Sequence, residues 1–234
     1  RIFFFASSQH HAAPNSPPQS GPYQNPSNPL NTSTLLRALL DQLDAWATEG
    51  MPPPDSCVPR RADGTLVSAE TVRQDFPQIE GVESPDEPSR LFLQDYGPEF
   101  AQGLIAHHPP RVDTRQEYAV LLPSVDADGN DVPGLRTPDV SVPLATHTGW
   151  NLRAKGHGPK AMYSVVGSYL TFAATEVERQ ERGDARPALS ERYRSRADYV
   201  SRVALAVREL REQRLLLVED GDRYIEAAIN ADVL

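Results

Sequence analysis

The stretch Arg1-Ile-Phe-Phe-Phe-Ala-Ser-Ser-Gln-His-His11 decides how the rest of the chain is interpreted. Residues 2–6 form a short continuous apolar run that ends at Ser7-Ser8. Such a run is typical of a strand buried on both faces, in a parallel sheet flanked by helices. His10 and His11 then stand at the carboxyl end of the strand, where open α/β sheets place their ligand sites. The stretch predicts an α/β fold and a candidate functional histidine, although a surface imidazole is the alternative.

The next patterned segment predicts a helix over about residues 34–49. We expect this helix to cover one face of the sheet that begins with the first strand. Gly50 is a candidate C-cap, and three consecutive prolines from Pro52 prevent continuation of the helix. Residues 51–90 predict a long surface loop with a turn at Asp63-Gly64. The apolar residues at helical spacing are Leu36, Leu39, Leu40, Leu43, Trp46 and Ala47.

Length, charge and composition exclude several classes of partner. With 234 residues the chain is long enough to bury a sizeable core, and its 22 prolines predict many ordered loops. A formal net charge of −9 argues against nucleic acid and anionic membrane surfaces as partners. The sequence contains no run of about 18 apolar residues, so no membrane span is predicted. The chain lacks an initiator methionine and begins inside a predicted strand, so we expect it to be part of a longer protein.

The remainder of the chain predicts short strands followed by helices. Strands are expected at Leu91–Leu93, at Tyr118–Val125 and, from alternating apolar and polar residues, at Val140–Leu144. Capping-box spacing at Thr175-Glu178 and Ser195-Asp198 predicts two helix starts. After the second start, one apolar stripe recurs at Tyr199, Val203, Ala206, Val207 and Leu210. A last helix is expected to carry Tyr224, Ile225, Ala228 and Ile229 after a polar break at residues 219–222.

Two polar clusters resemble metal sites without matching one. Asp126 to Asp131 gathers oxygen ligands, but its glycine and glutamate positions do not fit an EF-hand loop. We therefore predict a tight hairpin turn there. The histidines at 107, 108, 147 and 157 have no carboxylate or cysteine at zinc-ligand spacing. No metal or organic cofactor is predicted.

Several motifs resemble the group known only as alpha/beta hydrolase domain proteins. Members have a strand followed by a Gln-His pair, which corresponds here to Gln9-His10, although Ser7-Ser8 stands where they usually have Gly-Thr. The most specific string is Val140 to Arg153, and the resemblance covers nearly the whole chain. Further matching strings begin at Gln24, Ala62, Val125, Pro138, Glu191 and Ser195.

This resemblance implies hydrolysis of carboxylic esters by a serine, an acid and a histidine, in that chain order. It assigns His10 as the catalytic base, with His11 as the closest alternative. It also makes Trp150 a candidate substrate-binding residue, although an aromatic side chain that only fills the core is the favoured alternative. Gly-x-Ser-x-Gly, the motif that exposes the nucleophile in this fold, occurs nowhere in the sequence. Cys57 lacks the positive surroundings that would activate it instead. Because a histidine alone activates nothing, we expect this chain to be inactive by itself.

The expected architecture is the C-terminal part of an α/β-hydrolase fold with an appended region. Residues 1–50 are predicted to supply the last sheet strand, the histidine loop and a helix. Residues 51–234 are predicted to form the appended region, with short strands at about 91–145 and helices at about 175–234. The partners implied are a small-molecule ester and the N-terminal part of the same protein. The alternative is a non-catalytic binding or interaction module whose contact surface is the helical end.

Overall fold

The structure, a computed structural model, describes residues 1–11, 16–158, 160–163 and 165–233. Leu234, at the end of the predicted helical region, lies outside these ranges. None of the described helices has the length and apolar character needed to cross a membrane. The helices are α1 (Ser33–Glu49), α2 (Ala69–Asp75), α3 (Pro138–Ser141), α4 (Glu176–Glu181), α5 (Leu189–Arg192), α6 (Arg196–Glu212) and α7 (Val218–Asn230).

The strands of the described residues pair as three separate antiparallel ribbons. β1 pairs with β4, β2 with β3, and β5 with β6. In the last ribbon Thr146 lies opposite Leu170. The strands are β1 (Leu66–Ser68), β2 (Phe92–Asp95), β3 (Arg111–Glu117), β4 (Leu121–Pro123), β5 (Ala145–His147) and β6 (Tyr169–Thr171). β1 and α2 therefore interrupt the surface loop predicted for residues 51–90.

The N-terminal segment, residues 2–6, is extended and is paired along one edge. Phe3 forms a parallel bridge to Cys57, and Phe5 forms one to Leu135. The backbone groups of the even-numbered residues make these hydrogen bonds. Among the described residues, the amides of Phe3 and Phe5 and the carbonyl of Phe3 make no backbone hydrogen bond. The prediction of a strand buried on both faces was wrong for this structure, since Ile2 is 69% exposed and residues 3–5 are half-buried.

Helix α1 has the predicted bounds and C-cap, but the face that it buries is not the predicted one. Gly50 ends the helix in the left-handed region at φ 71°, and its amide donates to the carbonyl of Ala45. Leu35 packs into the main core, with Leu39, Phe3 and Phe5 partly buried against that core. Four residues of the predicted apolar stripe are exposed instead of covering a sheet. These residues, called here the exposed stripe, are Leu36, Leu40, Leu43 and Trp46.

The region around residues 125–147 gave one confirmed and one wrong prediction. The turn is confirmed, because Val125 and Asp131 form an antiparallel bridge and Asp126 Oδ1 accepts the amides of Asp128 and Asn130, both at 3.0 Å. The strand predicted at Val140–Leu144 was wrong. Residues 138–141 form the short helix α3 with a proline in its first turn, and β5 begins only at Ala145.

The C-terminal helices form most of the main core. Ser195 caps α6 by accepting the Asp198 amide at 3.2 Å, and Thr175 caps α4 in the same way, so both predicted helix starts are confirmed. All five residues of the predicted α6 stripe are buried. The predicted polar break at 219–222 was wrong, because these residues lie in the first turns of α7. Buried Asp220 there pairs with Arg37 and Arg223.

Candidate active site

The end of the N-terminal segment is fixed by a reciprocal pair of hydrogen bonds. The Ser7 amide donates to Asp131 Oδ2 at 2.6 Å, and the Asp131 amide donates to Ser7 Oγ at 2.8 Å. Ser7 has a φ of 56°, a left-handed conformation that non-glycine residues seldom adopt. The two bonds from Asp131 hold the chain in this turn. The residues that follow therefore leave the segment in a defined direction.

His10 and His11 lie on the surface just beyond this turn. Both side chains are exposed, and their rings make an edge-to-face contact with centroids 5.1 Å apart. Gln9 anchors the loop, because its Oε1 accepts the amide of Gly167 at 3.0 Å. Within the described residues, no carboxylate hydrogen-bonds to either imidazole. His10 is thus positioned next to an anchored turn, with its ring free to meet a group from outside these residues.

Asp131 is the carboxylate closest in the hydrogen-bond network to this turn. Burial raises the pKa of Asp131 to about 6, although the Ser7 amide and Arg136 act in the opposite direction. The described contacts give it a positioning function, since it holds Ser7 and does not bond to His10. Sequence reasoning placed Asp131 only in a hairpin and missed this contact across 124 residues.

A buried network of asparagines, also missed from the sequence, supports the same turn. Asn28 Nδ2 donates to the carbonyls of Ser7 at 2.8 Å and Thr148 at 3.0 Å. Asn151 Nδ2 donates to the carbonyls of Asn25 and Gly167. These amides connect the Gln24–Leu30 and Val140–Arg153 strings, which are two of the family-like strings. The only sequence indication was that asparagine occurs in both strings, twice in the first and once in the second.

His147 is a second histidine of interest, buried within this network. Its Nδ1 lies 2.9 Å from Asn28 Oδ1, and its ring packs against Tyr169. Because Asn28 Nδ2 already serves two carbonyls, Asn28 Oδ1 is the acceptor and His147 Nδ1 carries the proton. Burial lowers the pKa of His147 to about 4, so the imidazole is neutral at pH 7. His147 therefore acts as a buried hydrogen-bond donor.

Trp150 forms part of the wall of a cavity next to the turn. The cavity has a volume of about 510 Å³ and is also lined by Ser8, Asp131 and His147. The Trp150 ring lies 5.6 Å from that of Phe76, centroid to centroid. The structure thus brings Trp150 and the residue two positions before His10 to the same cavity. Among the described residues, no group of three or more His, Cys, Asp or Glu side chains is arranged to hold a metal ion.

Comparison with known families identifies the chain at the family level. The family model described as alpha/beta hydrolase domain matches residues 5–226. The chain belongs to the alpha/beta hydrolase domain family. The match begins within the N-terminal segment and runs through most of α7, so it includes both His10 and Trp150. Searches of curated proteins and of solved structures each found no match.

Proposed function

We propose that this chain is the C-terminal part of a serine hydrolase that cleaves carboxylic esters, and that His10 is its catalytic base. The observation that carries the proposal is the position of His10. It follows an extended segment of an alpha/beta hydrolase family member, beyond a turn fixed by Asp131, with an exposed ring. This is the placement that a base needs in order to reach a nucleophile carried by another segment.

The nucleophile and the acid are proposed to lie in an N-terminal part of the same protein. Two features of the described residues support a further segment packed against this chain. Among the described residues, nothing hydrogen-bonds to the backbone amides on the Phe3 and Phe5 edge of residues 2–6, and the exposed stripe of α1 lies open to solvent. Unpaired strand edges and contiguous apolar faces are surfaces that proteins normally cover. In the proposal, residues 1–50 complete the hydrolase sheet and residues 51–234 form the appended region.

The proposed reaction uses His10 in both of its halves, formation of the acyl-serine and its hydrolysis. His10 accepts the proton of the serine hydroxyl as the serine oxygen attacks the ester carbonyl, and then donates it to the departing alcohol. An acyl-serine remains, and water activated by His10 releases the carboxylic acid and restores the serine. Trp150 is proposed to contact the substrate from the cavity wall. The chemistry requires no metal or organic cofactor.

Hydrolysis of p-nitrophenyl esters by the longer polypeptide tests this assignment. His10→Ala should lower kcat/KM by at least about a thousandfold, because loss of a triad member removes nearly all nucleophilic activation. His11→Ala, a change of the same size at the adjacent exposed histidine, should change kcat/KM by less than about threefold. The 234-residue chain alone should be inactive.

Each activity result identifies which part of the proposal is wrong. Full activity in His10→Ala with loss of activity in His11→Ala would transfer the base to His11. Unchanged activity in both variants would reject a base in this loop. Hydrolysis by the 234-residue chain, or an adjoining coding sequence without Gly-x-Ser-x-Gly, would reject the proposal that the nucleophile lies elsewhere and would favour a different function.

A further inference from the structure

The cavity that contains Trp150 has the composition of a site for an apolar ligand. Its volume of about 510 Å³ lies within the range of small-molecule sites. Val72, Phe76, Leu122 and Met162 join Trp150 in its walls. Water makes few hydrogen bonds to apolar walls, so an apolar group that displaces this water should bind favourably.

The polar groups of the same cavity connect it to the His10 turn. Ser8 is one of the lining residues, and it directly follows Ser7, which is hydrogen-bonded to Asp131. The loop that carries Trp150 approaches this turn so closely that a Cβ on Gly149 would lie 2.8 Å from the carbonyl oxygen of Ser8. The cavity therefore borders the residue two positions before His10, at the turn that carries this histidine.

We infer that this cavity binds the aliphatic acyl chain of the ester, and that the substrates are esters of medium-chain rather than very short carboxylic acids. The inference rests on the proposed function for its chemistry, but the cavity itself can be tested without any reaction. The composition of the lining supports it, because most of the lining residues are apolar and an aliphatic chain gains more from burial against them than a strongly polar acyl group does. Four of the polar lining residues, Ser8, Asp131, His147 and Thr148, belong to the turn and its neighbours. The others are Arg73 and Ser89, which are exposed, and Ser84, which is half-buried.

Binding of unreactive methyl ketones to the 234-residue chain tests this site. A ketone presents a carbonyl and an aliphatic chain, but it has no leaving group. The chain has two tryptophans, and Trp46→Phe leaves Trp150 as the single reporter of fluorescence. The series from 2-butanone to 2-decanone should shift Trp150 emission saturably. The dissociation constant should fall about fourfold for each added methylene until the chain fills the cavity.

A pair of matched substitutions locates the binding. Val72→Asp places a charge in the cavity wall and should weaken 2-decanone binding at least tenfold. Val112→Asp, the same change at an exposed valine of β3 outside the cavity, should leave it unchanged. Far-UV circular dichroism checks that both variants fold. If Val72→Asp does not fold, the chain-length series in the Trp46→Phe background still decides.

Three results would overturn the inference. These are no saturable shift with 2-decanone, a shift independent of chain length, or equal binding by a folded Val72→Asp variant. Such results together with His10-dependent ester hydrolysis would leave the proposed function intact and remove only this acyl site. If the ketones bind but the longer polypeptide does not hydrolyse esters, the cavity would stand as a site for apolar ligands and the proposed function would be rejected.

Discussion

At the scale of single residues, His147 links the folded state to pH. Its folded pKa of about 4 lies below the ordinary value of 6.5, and desolvation is the cause. Between these values the unfolded chain binds a proton that the folded chain does not. The stabilisation that neutral His147 gives to the folded state is therefore fully present above about pH 6.5, and it is lost as the pH falls toward 4.

We predict that His147→Gln flattens this dependence. The wild type should lose about 2 kcal/mol of unfolding free energy from this group between pH 7.5 and pH 5, and the variant should not. Urea unfolding at both pH values measures the difference. The raised pKa of Asp131 acts in the opposite direction but is common to both proteins, so it cancels in the comparison. His157→Gln, at an exposed histidine, should behave like the wild type, and a flattened profile there would contradict the assignment.

Arg186 gives a second prediction at this scale. Its guanidinium is buried, pairs with buried Asp184 at 2.6 Å, and donates to the carbonyls of Leu170 and Thr171. Arg186→Met should cost about 3–5 kcal/mol, because it leaves the carboxylate of Asp184 buried without its charge partner. Arg182→Met, at a half-exposed arginine paired with Glu178, should cost less than about 1 kcal/mol. Similar Tm values for the two variants would show that the buried pair contributes little.

The candidate site shows which residues a sequence can reveal. His10 attracts attention because it directly follows an apolar run, which is a local pattern. Asn28 bonds to His147 across 119 positions, and Asp131 bonds to Ser7 across 124. No local spacing encodes such contacts, because they depend on how distant loops pack. The supporting groups of the turn therefore came only from the structure.

At the scale of secondary-structure elements, α6 depends on its first turn. Ser195 Oγ accepts the Asp198 amide and satisfies one of the free donors at the helix start. Ser195→Ala should destabilise the protein by about 1 kcal/mol. Ser201→Ala lies within the same helix, where the hydroxyl donates back to the Ala197 carbonyl, and it should be neutral or slightly stabilising. Chemical unfolding of both variants measures the contrast, and equal effects would rule out the cap.

The elements differed in how well the sequence predicted them. α1 and α6 have long apolar periods and clear caps, so both bounds of α1 and the start of α6 were predictable. Residues 140–144 alternate apolar and polar residues, but Pro138 fits the first turn of a helix and the segment folds as α3. The period of α1 was also correct, yet four of its apolar residues are exposed. Periodicity predicts a helix, but it does not say what covers its apolar face.

At the scale of the whole molecule, two surfaces should cause self-association. They are the exposed stripe and the edge of residues 2–6 that makes no backbone hydrogen bond within the described part of the chain. We predict concentration-dependent oligomers of the 234-residue chain, because burying apolar surface and pairing a free edge are both favourable. Leu40→Glu with Leu43→Glu should raise the monomer fraction without lowering Tm, since both leucines are already exposed. Size-exclusion chromatography with light scattering measures this. Val177→Glu, at an exposed valine of α4, should leave the oligomers unchanged.

The same double substitution should have the opposite effect in the proposed longer polypeptide. If an N-terminal part covers α1, Leu40 and Leu43 become buried there, and each glutamate replaces about 1.5–3 kcal/mol of favourable burial with an unpaired charge. The variant should then unfold at a clearly lower denaturant concentration and lose ester hydrolysis with its fold. A neutral effect in both polypeptides would mean that the stripe stays exposed. Opposite effects would show that this face of α1 is internal in the proposed longer protein.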